Sequence, residues 1–72
     1  MFKNYDVVKI TVPFELEVLG EFFSFDAGVE GVIVESYPNE CLIELLSDDV
    51  YDDLYYALIE VKNLIKIQIK LK

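Results

Sequence analysis

Carboxylates are the side chains of this sequence most able to do chemistry, and the residues that usually assist them are missing. The chain of 72 residues holds 14 aspartates and glutamates but no histidine, and its six cations are all lysines. Without an imidazole, histidine-dependent catalysis and histidine metal sites are excluded. Two carboxylates could still act as acid and base, but so many acids produce chance pairs, and so small a domain offers no deep cleft to perturb them. We therefore expect no enzymatic activity, no metal and no cofactor.

Cys41 is the one thiol in the chain. Its position within an apolar segment and the absence of a histidine base predict a buried structural residue rather than a nucleophile. A single cysteine cannot form an internal disulfide, so nothing indicates an oxidising compartment. Residues 1–6 lack the zones of a signal peptide, and no apolar run approaches the roughly 18 residues of a membrane span. We expect a cytoplasmic protein.

The densest group of acids lies in residues 48–53, whose sequence is D-D-V-Y-D-D. A calcium loop alternates its ligands along the chain and places a glycine at the bend, and this run does neither. Three interpretations remain open: a solvated acidic turn, a patch that faces a partner, and a weak site for a divalent cation.

Acids and lysines occupy different parts of the chain. Residues 1–9 carry a net charge of +1, residues 10–61 carry −13 and residues 62–72 carry +4, which sums to the total of −8. Between Lys9 and Lys62 there is no cation. Such a one-sided negative field repels nucleic acid and anionic lipid and attracts basic molecules. We expect a basic protein partner and no direct contact with nucleic acid or membrane.

Aromatic side chains lie beside the acids in two segments, residues 14–27 and 50–58. A small domain needs some of them in its core, but any that are exposed together would mark an interface, where aromatics are enriched. We predict that acids and aromatics of these segments and of the acidic run bind the partner. The predicted partner-binding residues are Glu15, Glu17, Glu21, Phe22, Phe23, Asp48, Asp49, Tyr51, Asp52 and Asp53.

Alternation of apolar and polar residues predicts β-strands that could position these side chains. Residues 5–12 form the first predicted strand. Residues 28–37 and 41–46 predict a hairpin around a three-residue turn. Residues 64–72 alternate isoleucine or leucine with lysine or glutamine, which predicts a half-buried strand whose lysine face discourages edge-to-edge pairing.

Two segments are harder to assign. Residues 14–27 combine apolar–acidic alternation with turn residues, which predicts a long ordered loop or an irregular hairpin after the first strand. Residues 50–58 have leucines at helical spacing but tyrosines that favour a strand, so a strand and a short helical turn near residues 49–56 both remain open. Five strands in a single domain, residues 1–72, predict a mostly β fold in the form of a small five-stranded barrel.

Three segments carry a resemblance to a known family: YDVVKI at residues 5–10, AGVEGVIVESY at residues 27–37 and CLIEL at residues 41–45. Together they resemble short bacterial SH3-like barrel proteins known only as a domain of unknown function. Cys41 stands where that family usually has an aromatic residue. The resemblance implies an SH3-like barrel, and members of such families look like partners of neighbouring genes, including immunity proteins and antitoxins.

The leading functional hypothesis is a small acidic, non-enzymatic domain that binds a basic protein. Its most concrete form is an immunity protein or antitoxin that occludes the cationic active site of a toxin, such as a nuclease, with carboxylates in place of phosphates. The alternative is a structural or accessory subunit that forms a homo-oligomer or pairs with another chain through its C-terminal strand, residues 64–72. The acids would then serve solubility.

Overall fold

The structure, a computed structural model, describes residues 2–46 and 55–67. These residues form antiparallel β-strands and one 3-10 helix, Val61–Asn63, which confirms the mostly β fold. The strands, in chain order, are β1 (Val7–Ile10), β2 (Phe14–Val18), β3 (Glu21–Phe25), β4 (Glu30–Ser36), β5 (Glu40–Leu45), β6 (Tyr56–Glu60) and β7 (Leu64–Lys66).

Five strands form one sheet in the order β6-β5-β4-β1-β7, and β2 pairs with β3 in a second sheet of two strands. The first strand therefore lies between the meander β4–β5–β6 and the last described strand. The five-stranded barrel expected above is not closed. β6 and β7 are the two edges, and no ladder joins them within residues 2–46 and 55–67. Closure would require these edges to exchange backbone hydrogen bonds, and the described part of β7 is only three residues long.

Of the two alternatives for residues 14–27, the hairpin is confirmed and the long loop is wrong. The hairpin is regular rather than irregular, with five consecutive residue pairs between residues 14 and 25. The choice between strand and helix at residues 50–58 is decided in favour of a strand from Tyr56 onwards. Residues 47–54, where the helical turn was expected, lie outside the described residues. The 3-10 helix at Val61–Asn63 was not predicted.

The core is formed by one apolar row from each strand of the large sheet. Val8 and Ile10 of β1 and Ile33 of β4 are completely buried. Lys9, between Val8 and Ile10, faces outwards, because side chains alternate between the two faces of a strand. Among the described residues no polar or charged residue is buried. The buried residues are Val8, Ile10, Ile33, Cys41, Ile43, Leu45, Ala57, Ile59 and Leu64.

Gly31 lies where the large sheet is most crowded. It pairs with Val8 of β1 on one side and with Leu45 of β5 on the other. A Cβ at this position would lie 2.8 Å from the carbonyl oxygen of Glu44 and would overlap the Cγ2 atom of Ile43. Only glycine allows β4 and β5 to approach this closely while Ile43 fills the core.

Replacing Gly31 with alanine should therefore destabilise the fold, because the added methyl group meets backbone that cannot move aside. We expect Gly31→Ala to lower the free energy of unfolding by about 1–3 kcal/mol, as overpacked cores do. Urea unfolding followed by circular dichroism measures this. Glu30→Ala, at the exposed neighbouring position, is the matched control and should change stability by less than about 0.5 kcal/mol. Equal stability of the two variants would contradict the packing described.

Candidate protein-binding surfaces

The hairpin of β2 and β3, residues 14–25, is called the arm. Its five residue pairs run from Phe14 opposite Phe25 to Val18 opposite Glu21. Leu19 and Gly20 form the two-residue turn at its tip, with φ angles of 52° and 82°. Two central residues with positive φ define the turn type that matches the twist of a hairpin, and this turn fixes the register of the arm.

One face of the arm packs on the core of the large sheet. Phe14 and Phe25 stack with their ring centroids 4.9 Å apart and their planes 12° from parallel. Both rings and Leu16 contact the core cluster. Phe23 lies on the same face, because it pairs with Leu16, and its ring centroid is 6.1 Å from that of Tyr55. This inner face attaches the arm to the domain.

The opposite face of the arm points to solvent and combines carboxylates with one aromatic ring. Glu17 pairs directly with Phe22, and Glu15 pairs with Ser24. Phe22 is 69% exposed, although a side chain as large and apolar as phenylalanine is usually buried in the core of a small domain. The Ser24 hydroxyl donates a hydrogen bond of 3.4 Å to a carboxylate oxygen of Glu15. The outer face of the arm is thus an exposed ring flanked by acids.

The tip of the arm adds a second exposed apolar side chain. Leu19 is 99% exposed and adopts a left-handed backbone conformation that is unfavourable for a leucine. Asparagine or glycine would be expected at this position of the turn. Neither burial nor backbone preference within the domain accounts for Leu19, and such outliers are more common at functional sites.

The sequence-predicted binding residues fall into three groups. Glu15, Glu17 and Phe22 come together on the outer face of the arm, and Glu21 lies at its tip. Phe23 is on the inner face beside Tyr55 but is still 38% exposed. The remaining five, Asp48, Asp49, Tyr51, Asp52 and Asp53, lie outside the described residues. Leu19 was missed, and the signal that could have revealed it is the pair Leu19-Gly20 directly after the alternating residues 14–18.

The electrostatics of the arm are one-sided. It carries Glu15, Glu17 and Glu21 and no cation. The ion pairs among the described residues join Lys62 to Glu60 at 3.7 Å and Lys66 to Asp6 at 3.6 Å. Neither pair involves the arm, so within the described residues its carboxylates form no ion pair and lie beside exposed apolar groups.

A groove of about 500 Å³ lies elsewhere on the described part of the chain. Its lining consists of Phe2, Ser36, Tyr37, Pro38, Cys41 and Val61. The groove contains no carboxylate and no amine, and the Cys41 thiol at its floor is buried. Within residues 2–46 and 55–67, no group of three or more potential metal-ligating side chains is gathered in one place. The groove therefore offers no acid–base pair to act on a bound molecule.

Comparison with known proteins gives no relative: the chain matches no protein family model, no curated protein and no solved structure. Among the described residues there is no helix long and apolar enough to cross a bilayer.

Replacing Leu19 with asparagine should stabilise the domain, because asparagine tolerates positive φ and almost no buried leucine surface is lost. We expect Leu19→Asn to raise the free energy of unfolding by about 1 kcal/mol, within the range of backbone strain. Gly20→Ala, at the adjacent position of the turn, should lower it by about the same amount. Urea unfolding measures both. A less stable Leu19→Asn variant would show that Leu19 contributes to folding rather than to a surface function.

Proposed function

We propose that this chain is a cytoplasmic, non-enzymatic protein-binding domain whose partner presents a basic surface with an apolar pocket. The outer face of the arm and its tip make the contact. The observation that carries the proposal is the exposure of Phe22, which lies opposite Glu17 in a hairpin without any cation. Leu19 at the tip extends the same apolar surface.

The two kinds of side chain have different tasks in such a contact. Buried aromatic anchors supply most of the binding free energy at protein interfaces, and each can contribute about 2 kcal/mol or more. Carboxylates around the anchor steer a basic partner and increase the association rate, more so at low salt. The rigid inner face of the arm keeps the anchor in its bound geometry, which reduces the entropy lost on binding.

The most specific form of this function is that of an immunity protein or antitoxin. Such a protein would cover the cationic active site of a toxin, for example a nuclease, with Glu15 and Glu17 of the outer face in the positions of substrate phosphates. This form is supported by the resemblance of residues 5–10, 27–37 and 41–45 and by the negative field of the middle of the chain. A gene for a basic, nuclease-like protein beside the gene of this chain would support it further.

The test begins with capture of partners from a lysate of the native host at low salt, followed by identification and reconstitution of the pair from purified proteins. We expect a basic partner whose affinity falls at least about tenfold between about 50 mM and 200 mM salt. Glu17→Lys should lower the affinity for this partner further at either salt concentration. Glu35→Lys is the matched control, because it changes the net charge equally at an exposed position of β4. Equal effects of the two reversals would contradict a local role of the arm.

The anchor is tested on the same reconstituted pair. Phe22→Ala should weaken binding by about 30-fold, mainly through faster dissociation, as loss of a central aromatic does. Ile65→Ala removes a comparably exposed apolar side chain from β7 and should change the affinity by less than about twofold. The urea midpoint of each variant verifies folding. Full affinity of Phe22→Ala would exclude the outer face of the arm as the binding surface.

A further inference from the structure

The two edges of the large sheet differ in their protection against pairing with another strand. An edge strand exposes unpaired backbone groups, and proteins protect such edges with short strands, lysines, prolines, bulges or inward-pointing charges. β7 has several of these features. Its described part is three residues long, and Lys66 lies opposite the buried Val8, on the core side of the sheet. The Lys66 amine is 3.6 Å from the Asp6 carboxylate.

β6 has few of these features. Its sequence, Tyr-Ala-Leu-Ile-Glu, contains neither lysine nor proline, and its five pairs with β5 run without a bulge. Ala57 and Ile59 point into the core, whereas Tyr56 and Leu58 are exposed on the outer face of the sheet. The strand is therefore a regular, mostly apolar edge, with Glu60 at its end as the only charge.

The register of β5 and β6 shows which backbone groups are free. The Leu45 N–H donates to the Tyr55 carbonyl at 2.8 Å, and the Val61 N–H donates to the Asn39 carbonyl at 2.9 Å. Hydrogen-bonded pairs alternate along an antiparallel ladder, so the odd-numbered residues of β6 face β5. Tyr56, Leu58 and Glu60 direct their N–H and C=O groups away from it, towards a side on which no described strand lies.

We propose that β6 pairs with β6 of a second copy of this chain, antiparallel and centred on Leu58, so that two sheets of five strands become one of ten. The two-fold axis places Leu58 against Leu58 of the second copy, as an isologous interface requires. It also places Tyr56 opposite Glu60 of the second copy. The phenol can then donate a hydrogen bond to the carboxylate, and the two Glu60 side chains stay apart.

Self-complementarity favours a second copy over a basic strand at this edge. The pairing joins the exposed Tyr56 and Leu58 of both copies, together with Leu42 beside Leu58, into one apolar patch across the junction. Each copy carries a net charge of −8, so repulsion between copies weakens the dimer at low salt. Added salt screens this repulsion and strengthens the dimer, which is the opposite of its effect on a basic partner. The dimer is independent of the proposed function and lies at β6, not at the C-terminal strand.

Analytical ultracentrifugation of the purified chain tests the proposal. At about 1 mM protein and about 500 mM salt we expect a species of twice the 8.3 kDa chain mass, with a larger dimer fraction than at about 50 mM salt. Leu58→Lys should raise the dissociation constant at least about tenfold, because an edge lysine opposes pairing. Amide exchange at Tyr56, Leu58 and Glu60 should slow as protein concentration increases.

Ile65→Lys is the matched control. Ile65 and Leu58 are similarly exposed, at 57% and 52%, and lie on the two opposite edges, and both substitutions reduce the net charge equally. The dissociation constant of the control dimer should be within about threefold of the wild-type value. Circular dichroism verifies that both variants fold. A single-chain mass at both salt concentrations would overturn the proposal. The proposal would also be overturned if the two lysine substitutions raised the dissociation constant of the dimer equally. Binding of a basic protein strand at β6 in place of a second copy would overturn it as well.

Discussion

The negative surface of this domain follows from the same alternation that builds its core. Each strand of the large sheet buries every second residue, and no polar side chain is buried among the described residues. The charged residues of the middle of the chain must therefore occupy the outward positions. Because residues 10–61 contain no cation, these positions are acids wherever they are charged. The fold cannot form without displaying a one-sided negative surface, and this property makes a basic partner the natural complement.

The pairing of β1 with both β4 and β7 makes the distribution of charge over the domain uneven. It brings residues from the two ends of the chain together, with Lys9 of β1 opposite Ile65 and Val8 opposite Lys66. Lys9 and Lys66 thereby lie on the neighbouring strands β1 and β7, while the arm, connected between β1 and β4, carries only acids. The domain is polarised rather than uniformly acidic. The β7 edge, which carries Lys66, is the protected edge, and this leaves β6 as the edge able to accept another strand.

Much of the large sheet could be predicted from the sequence, because β1, β4 and β5 bury one face and alternate accordingly. The predicted lysine face of residues 64–72 is wrong for β7: Leu64 is buried, Ile65 is 57% exposed and Lys66 lies opposite the buried Val8. The regular pairing of the arm could not be predicted from the sequence, because the adjacent apolar residues Phe22 and Phe23 break the alternation of β3. The structure explains this break: Phe23 faces the domain and Phe22 faces solvent. A local violation of the folding pattern coincides here with the candidate site, as expected where function competes with folding. The open form of the large sheet and the 3-10 helix depend on tertiary contacts that no local pattern encodes.

The central claim, that the arm is the binding surface, is tested most directly by NMR of the isotopically labelled chain titrated with its reconstituted basic partner. The account predicts that the largest amide shift changes fall within residues 14–25, centred on Leu19 and Phe22, and that their size decreases as salt is added. Shift changes confined to the groove around Phe2, Tyr37 and Val61, with the arm unchanged, would contradict it.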